Sequence, residues 1–177
     1  MKLIQKQEKI IEFTILYNKY KKRIYNYALK MLLDQMQAED IVQNIFIKLY
    51  ENFDKIINHQ SILFWLFKTT KNELMDHYRN KKSKAIYNYS LDPEEIALES
   101  KNSFEREFDN KEILHLIEAE LNAMNPEFKE IFILREYSQL SYKEIATVLG
   151  INEELVKSRL FKIRKKLINN ISKFVDE

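Results

Sequence analysis

Ile24, Tyr27, Ala28, Met31 and Leu32 recur at helical spacing, and the same period returns in Ile41, Val42, Ile45, Phe46 and Leu49 after the polar break Asp34 to Gln37. Each set marks one face of an amphipathic helix. A second polar break, Ile57 to Gln60, is followed by Ser61. As an N-cap, Ser61 starts a predicted helix running to about Asn80 with Leu63, Leu66, Phe67, Thr70 and Leu74 as its buried stripe. Periodicity then fades. Asp92, Pro93 and Glu95 have the order of a cap, a first-turn proline and a capping-box acid, but the run IALESKNSFEREFDN carries few apolar residues and reads as a connector. The pattern resumes with Ile113, Leu114, Ile117 and Leu121. Asn125 and Pro126 then open a helix to about Tyr137.

The sharpest local signal comes next. Ser141 and Glu144 form a capping box, with Leu140 and Ile145 in the positions of a hydrophobic staple. The helix they open ends at Gly150, the only glycine in the chain, so the one residue with easy access to positive φ sits at this turn. Asn152 can cap the following helix, Ile151 and Val156 are again placed as a staple, and Val156, Leu160, Ile163 and Leu167 form its buried stripe. Two helices joined this way predict a helix-turn-helix.

Composition narrows the fold class. The chain has 177 residues with one Gly and two Pro, where ordinary usage gives about twelve and nine. The turn chemistry of sandwiches, barrels and phosphate loops is therefore missing, and an all-α chain of two small helical domains is expected: 1–87, an acidic connector 88–110, and 111–177. No cysteine is present, which excludes disulfides and thiolate metal sites. No apolar run approaches the roughly 18 residues of a membrane span, and MKLIQKQEKIIEF lacks the apolar core of a secretory signal, so a cytoplasmic protein without membrane insertion is expected.

The net charge of +2 hides an asymmetry. Residues 1–90 carry 16 basic and 9 acidic side chains, residues 91–120 carry 3 and 10, and residues 121–177 carry 10 and 8. Two basic-leaning blocks suit a polyanion, while the acidic stretch avoids it or lies on another basic surface. In the last helix Lys157, Ser158, Lys162 and Lys165 face outward with Arg159 at the edge, the pattern of a helix in a major groove. In the first block Trp65, Lys68, Asn72, Asp76 and Arg79 line one side of a helix that runs into Lys81 and Lys82. An aromatic ring, an amide and cations together suit single-stranded nucleic acid, although Trp65 also reads as core and the lysines as a solvated face. Opposite the stripe of the preceding helix, Asp40, Gln43 and Asn44 surround a lone Ile47, either a stray exposed residue or an anchor for a protein partner.

These motifs carry a family likeness. Residues 125–167, NPEFKEIFILREYSQLSYKEIATVLGINEELVKSRLFKIRKKL, resemble the C-terminal DNA-binding region of bacterial sigma factors, and AEDIVQNIFIKLYENF with FWLFKTTKNELMDHYRNKKS resembles their N-terminal core region. Two regions in this order with only a short connector are similar to the extracytoplasmic-function group. The resemblance implies that Asp40, Gln43, Asn44 and Ile47 dock on the clamp coiled coil of the RNA polymerase β′ subunit. It implies that Asn58, His59, Gln60 and Ser61 form a loop pocket for a base flipped from the minus-ten element, with Trp65, Lys68, Asn72, Arg79, Lys81 and Lys82 holding the separated strand. Lys157, Ser158, Arg159, Lys162 and Lys165 would meet the minus-thirty-five element as duplex. Partners implied are core polymerase, including its β flap, promoter DNA and an anti-sigma protein. No cofactor, metal or reaction is implied.

The chain departs from the family pattern at Asn44, where an acid is usual, at Gln139, where Gly is common, and at Glu153, Glu154 and Leu155, where small or hydroxylated residues are common. Glu73 and His77 point toward the core side of their helix without an evident reason. A self-sufficient helix-turn-helix regulator, its first block binding an effector or a second protomer, is the alternative reading. An enzyme finds little support: His59, His77 and His115 make no metal-type pair, and no phosphate loop or nucleophile elbow is present.

Overall fold

The computed structural model describes residues 2–56, 59–87 and 110–175, and every regular element among them is helical. Three helices make the first unit: α1 (Lys2–Leu32), α2 (Gln35–Asn52) and α3 (His59–Tyr87). Four make the second: α4 (Asn110–Asn122), α5 (Pro126–Phe132), α6 (Tyr142–Leu149) and α7 (Glu153–Val175). A turn of π-helix, Ile133–Tyr137, continues α5. The expected all-α class with two helical units is borne out. The helix expected to start at Ser61 and end near Asn80 is longer at both ends. His59, Gln60 and Ser61 lie within α3 rather than in a loop, and no Gly or Pro interrupts the chain before Tyr87. The Asp92 helix start lies outside the described residues.

In the first unit, Tyr20, Ile24, Tyr27 and Ala28 of α1, Ile41, Ile45, Phe46 and Leu49 of α2, and Leu66, Phe67 and Leu74 of α3 are buried together. Thr70 lies in this core and donates its hydroxyl to the Leu66 carbonyl at 2.7 Å, so no polar atom there goes unpaired. With so few glycines, the turns use other residues at positive φ. Leu33 closes α1 at φ +59°, its N–H bonded to the Leu29 carbonyl at 2.8 Å, and Asp34 then caps α2 by accepting from Gln37 N at 3.0 Å. A non-glycine residue pays about 1–2 kcal/mol for this conformation, and glycine returns roughly half of that through its freer unfolded chain. Because Leu33 is 59% exposed and buries little, Leu33→Gly is expected to raise stability by about 0.5–1 kcal/mol, read as a higher urea midpoint at unchanged m value.

The second unit is locally specified. Asn125 caps α5 through Glu127 N at 2.9 Å, and the π turn closes with Ser138 N on the Ile133 carbonyl at 3.0 Å. Gln139 takes φ +57°, which lets the Leu140 N–H reach back to the Leu134 carbonyl at 3.0 Å. Both bonds of the Ser141–Glu144 capping box form, at 3.2 and 2.7 Å. Leu140 and Ile145 are fully buried as its staple, and Gly150 ends α6 at φ +69°. Asn152 then caps α7 by accepting from Leu155 N at 2.7 Å. Val156, Leu160, Ile163 and Leu167 are buried, the stripe expected of the second helix of a helix-turn-helix.

The two units pack on each other, α6 against α3 and the π turn against α1. Arg23 donates to the carbonyls of Ser138 at 2.7 Å and Gln139 at 3.3 Å, the Ser138 hydroxyl donates to the Arg23 carbonyl, and Asn26 donates to the Tyr137 carbonyl. Lys30 pairs with Glu118 of α4. At the centre Glu130 of α5, only 5% exposed, enters the first unit, where it accepts from the Tyr27 hydroxyl and lies 3.8 Å from the Lys71 ammonium. Burial, and after it the charge of Glu130, holds the Tyr27 hydroxyl well above its usual pKa, so it remains a neutral donor.

Candidate nucleic-acid and protein-docking faces

In α7 the face opposite the buried stripe is net cationic, its lysines interspersed with other side chains. Glu154, Ser158, Phe161, Lys162 and Lys165 fall within an arc of about 100° on the helix wheel, and all are exposed. Lys157 flanks that strip and pairs with Glu153 at 3.1 Å, a hydrogen bond that raises its pKa. Arg159 behaves differently from its neighbours. It turns back toward α5, 3.0 Å from Glu127 and 5.5 Å from the centroid of the Phe128 ring, so its guanidinium lies at the edge of the face. Arg164 is likewise held by Glu136 at 2.6 Å. The charge pattern alone does not single out Phe161, which is 68% exposed at one edge of this strip. Its signal was present in the sequence as an apolar residue off the buried stripe.

On α3 the structure keeps Lys68, Asn72 and Arg79 exposed along one side with Trp65 partly buried and packed against the core, so both readings of this tryptophan hold in part. Lys68 lies over the Phe64 ring at 5.2 Å, and Arg79 is paired with Asp76. Phe64, beneath Lys68, and Leu63 also line a cleft between α3 and α6 together with Lys19, Arg23 and Lys143. Asn58 lies outside the described residues, as do the side chains of His59, Gln60, Ser61, Lys81 and Lys82.

On α2, Asp40, Gln43, Asn44 and Ile47 are all exposed, Ile47 to 49%. Gln43 and Ile47 edge a groove of about 890 Å³ between α1 and α2, whose floor is aromatic: Phe13, Tyr17, Phe46 and Tyr50. From sequence these rings were indistinguishable from core. Glu73 has its explanation here, since it pairs with Lys48 across the α2–α3 seam. His77 is partly buried beside the Tyr78 ring, whose hydroxyl donates to the Met31 carbonyl at 2.6 Å. A second groove, about 810 Å³ and almost wholly apolar, runs between α4 and α7 past Leu114, Ile117, Phe132, Leu167 and Ile168. Among the described residues no group of acids and histidines could hold a metal ion, and no helix is long and apolar enough to cross a membrane.

A helix-turn-helix with a cationic outer strip, joined to a three-helix unit bearing an exposed aromatic groove, defines a two-unit helical protein of the DNA-binding class. Family models agree on both units: "Sigma-70 region 2" matches residues 16–84 and "Sigma-70, region 4" matches residues 114–167. The chain belongs to the sigma-70 family of RNA polymerase sigma factors, in its extracytoplasmic-function group, whose members direct RNA polymerase to promoters. It is 28% identical to RNA polymerase sigma factor SigZ of Bacillus subtilis over 86% of this chain and 82% of that one. With the extracytoplasmic-function factor SigM of the same organism it shares 26% over 86% and 90%. In fold it is similar to the sigma factor RpoE solved with the anti-sigma factor NepR from Bartonella quintana, at a TM-score of 0.70 and 20% identity, covering 91% of this chain and 97% of that one. CnrH, solved with the cytosolic domain of CnrY, matches at 0.62 and 18% identity over 91% and 88%.

Proposed function

We propose that this protein is a dissociable promoter-specificity subunit without a reaction of its own, acting in the cytoplasm on core RNA polymerase. In this reading α7 reads the minus-thirty-five element as duplex, and α3 with the residues before it captures bases of the melted minus-ten element. The observation that carries it is the separation of two kinds of exposed face on one chain: a cationic strip on α7 for a polyanion, and Ile47 beside an aromatic groove for a protein. Asp40, Gln43, Asn44 and Ile47 dock on the clamp coiled coil of β′, and the apolar groove between α4 and α7 takes the β flap. Lys157, Ser158, Lys162 and Lys165 meet the duplex, with Arg159 steadying a phosphate at the edge. Trp65 supplies a stacking ring, Asn72 an amide, and Lys68 and Arg79 charge. Because the similar sigma factor RpoE is solved in complex with the anti-sigma factor NepR, an anti-sigma protein is the partner proposed for the inactive state.

The closed packing constrains how this works. Helices in contact have axes about 8–10 Å apart, so α7, packed on α6, which packs on α3, stands about 20 Å from α3 where they meet. Elements about 25 base pairs apart are separated by about 85 Å of B-form duplex. The two units therefore part when both elements are engaged. The 22 residues 88–109 that tether them can span up to about 75 Å. Run-off transcription over a genomic DNA library, with core polymerase and this chain, is expected to yield discrete start sites absent with core alone. A footprint on DNA by the free protein at physiological salt would instead support the self-sufficient regulator.

A further inference from the structure

Two glutamates open α7, and the structure separates them. Glu153 lies on the flank, where it is paired with Lys157 at 3.1 Å. Glu154 has no ion-pair partner within 4 Å among the described residues and is exposed on the outer strip, one turn before Ser158 and two before Phe161. A recognition helix presents its N-terminal residues to base edges, so a carboxylate at this place meets the floor of the groove. We propose that Glu154 is a specificity-determining residue that selects cytosine in the duplex element.

The chemistry is one-sided. A carboxylate only accepts hydrogen bonds, and in the major groove only cytosine N4 and adenine N6 offer donors. Adenine places its N7 acceptor beside N6, where it repels the second carboxylate oxygen, whereas cytosine has a C–H there. Guanine and thymine present acceptors and are rejected. The positive end of the helix dipole at this terminus favours an acidic side chain there. Along the helix, Ser158 lies about 6 Å further and Phe161 about 10 Å further, or about two and three base pairs at 3.4 Å each. Phe161 has the surface to pack on a thymine methyl there. An element with a cytosine and, about three pairs away, a thymine is the pattern this strip fits.

This inference rests on the promoter-reading function proposed above, and the test separates the two. Holoenzyme reconstituted from core polymerase and the full chain is offered promoters randomised across the minus-thirty-five region, and the transcribed templates are sequenced. The unaltered chain is expected to enrich cytosine at one position by about tenfold over thymine. Glu154→Ala flattens that position alone. Glu154→Gln, whose amide pairs bidentately with adenine N6 and N7, shifts it from cytosine to adenine. Since Glu154 is exposed, neither change disturbs the core. If the unaltered holoenzyme selects no element at all, the promoter-reading function falls and this role with it. If it selects one and both variants keep the same preference at every position, the role of Glu154 alone is overturned.

Discussion

A Lys30→Cys/Glu118→Cys chain whose two thiols are joined by a short bis-maleimide is expected to lose about a hundredfold or more of its promoter-directed transcription, while the unlinked double variant retains it. The prediction uses two features of the molecule. Lys30 of α1 and Glu118 of α4 already face each other across the two units as an ion pair, and the chain has no cysteine to compete for the reagent. The linker therefore holds the closed arrangement without distorting it. A chain held closed keeps α7 about two helix diameters from α3, so it engages one promoter element at a time and forfeits the gain of binding both. The noncovalent interface does not lock in this way. Its centre is a carboxylate, Glu130, with a tyrosine hydroxyl as donor and an ammonium only at 3.8 Å. Desolvating such a charge costs several kcal/mol against what the contacts return, so the closed state can be released by a partner that binds the open one. Equal run-off yields from linked and unlinked protein would show that the units need not part.

What could be read from the sequence followed from how far its causes reach along the chain. Ser141, Glu144, Leu140, Ile145 and Gly150 specify their turn through contacts within a few residues, and the helix-turn-helix was visible from them. The stripe Val156 to Leu167 was visible for the same reason. Glu130 was not, because the groups that bury it, Tyr27 and Lys71, are far away in sequence and a glutamate in a short helix looks like any solvated acid. Arg159 sits at the edge of the wheel, where periodicity cannot choose between the groove and Glu127. Leu33 stands at positive φ with no turn signal in its residue type, whereas Gln139, also at positive φ, was marked only by the family pattern, in which Gly is common there. The aromatic groove between α1 and α2 was hidden in a different way: rings at core spacing read as core, and only their shared edge with Gln43 and Ile47 gives them an outer role.

Ile47→Asp is expected to weaken binding to core polymerase by at least about tenfold, whereas Lys157→Ala leaves that affinity unchanged and lowers transcription from the cognate promoter. Ile47 is half exposed at the rim of a groove whose floor is Phe46, Tyr17 and Tyr50. Covering an isoleucine against a partner's apolar side chain returns about 1.5–3 kcal/mol, and placing a carboxylate there adds the penalty of burying an unpaired charge. Because Ile47 already meets water, the substitution leaves the fold intact, and the urea midpoint serves as the control. Lys157 stands on the other unit and, in the proposed function, bears on phosphate, so its loss is expected to reduce the salt dependence of promoter binding and not the polymerase contact. Its pairing with Glu153 tempers the effect, since part of the lysine's charge is spent within the helix before DNA arrives. Sedimentation of each variant with core enzyme, beside run-off assays on the same promoter, separates the two losses. Undiminished core binding by Ile47→Asp would remove α2 from the docking face and leave the aromatic groove without a partner.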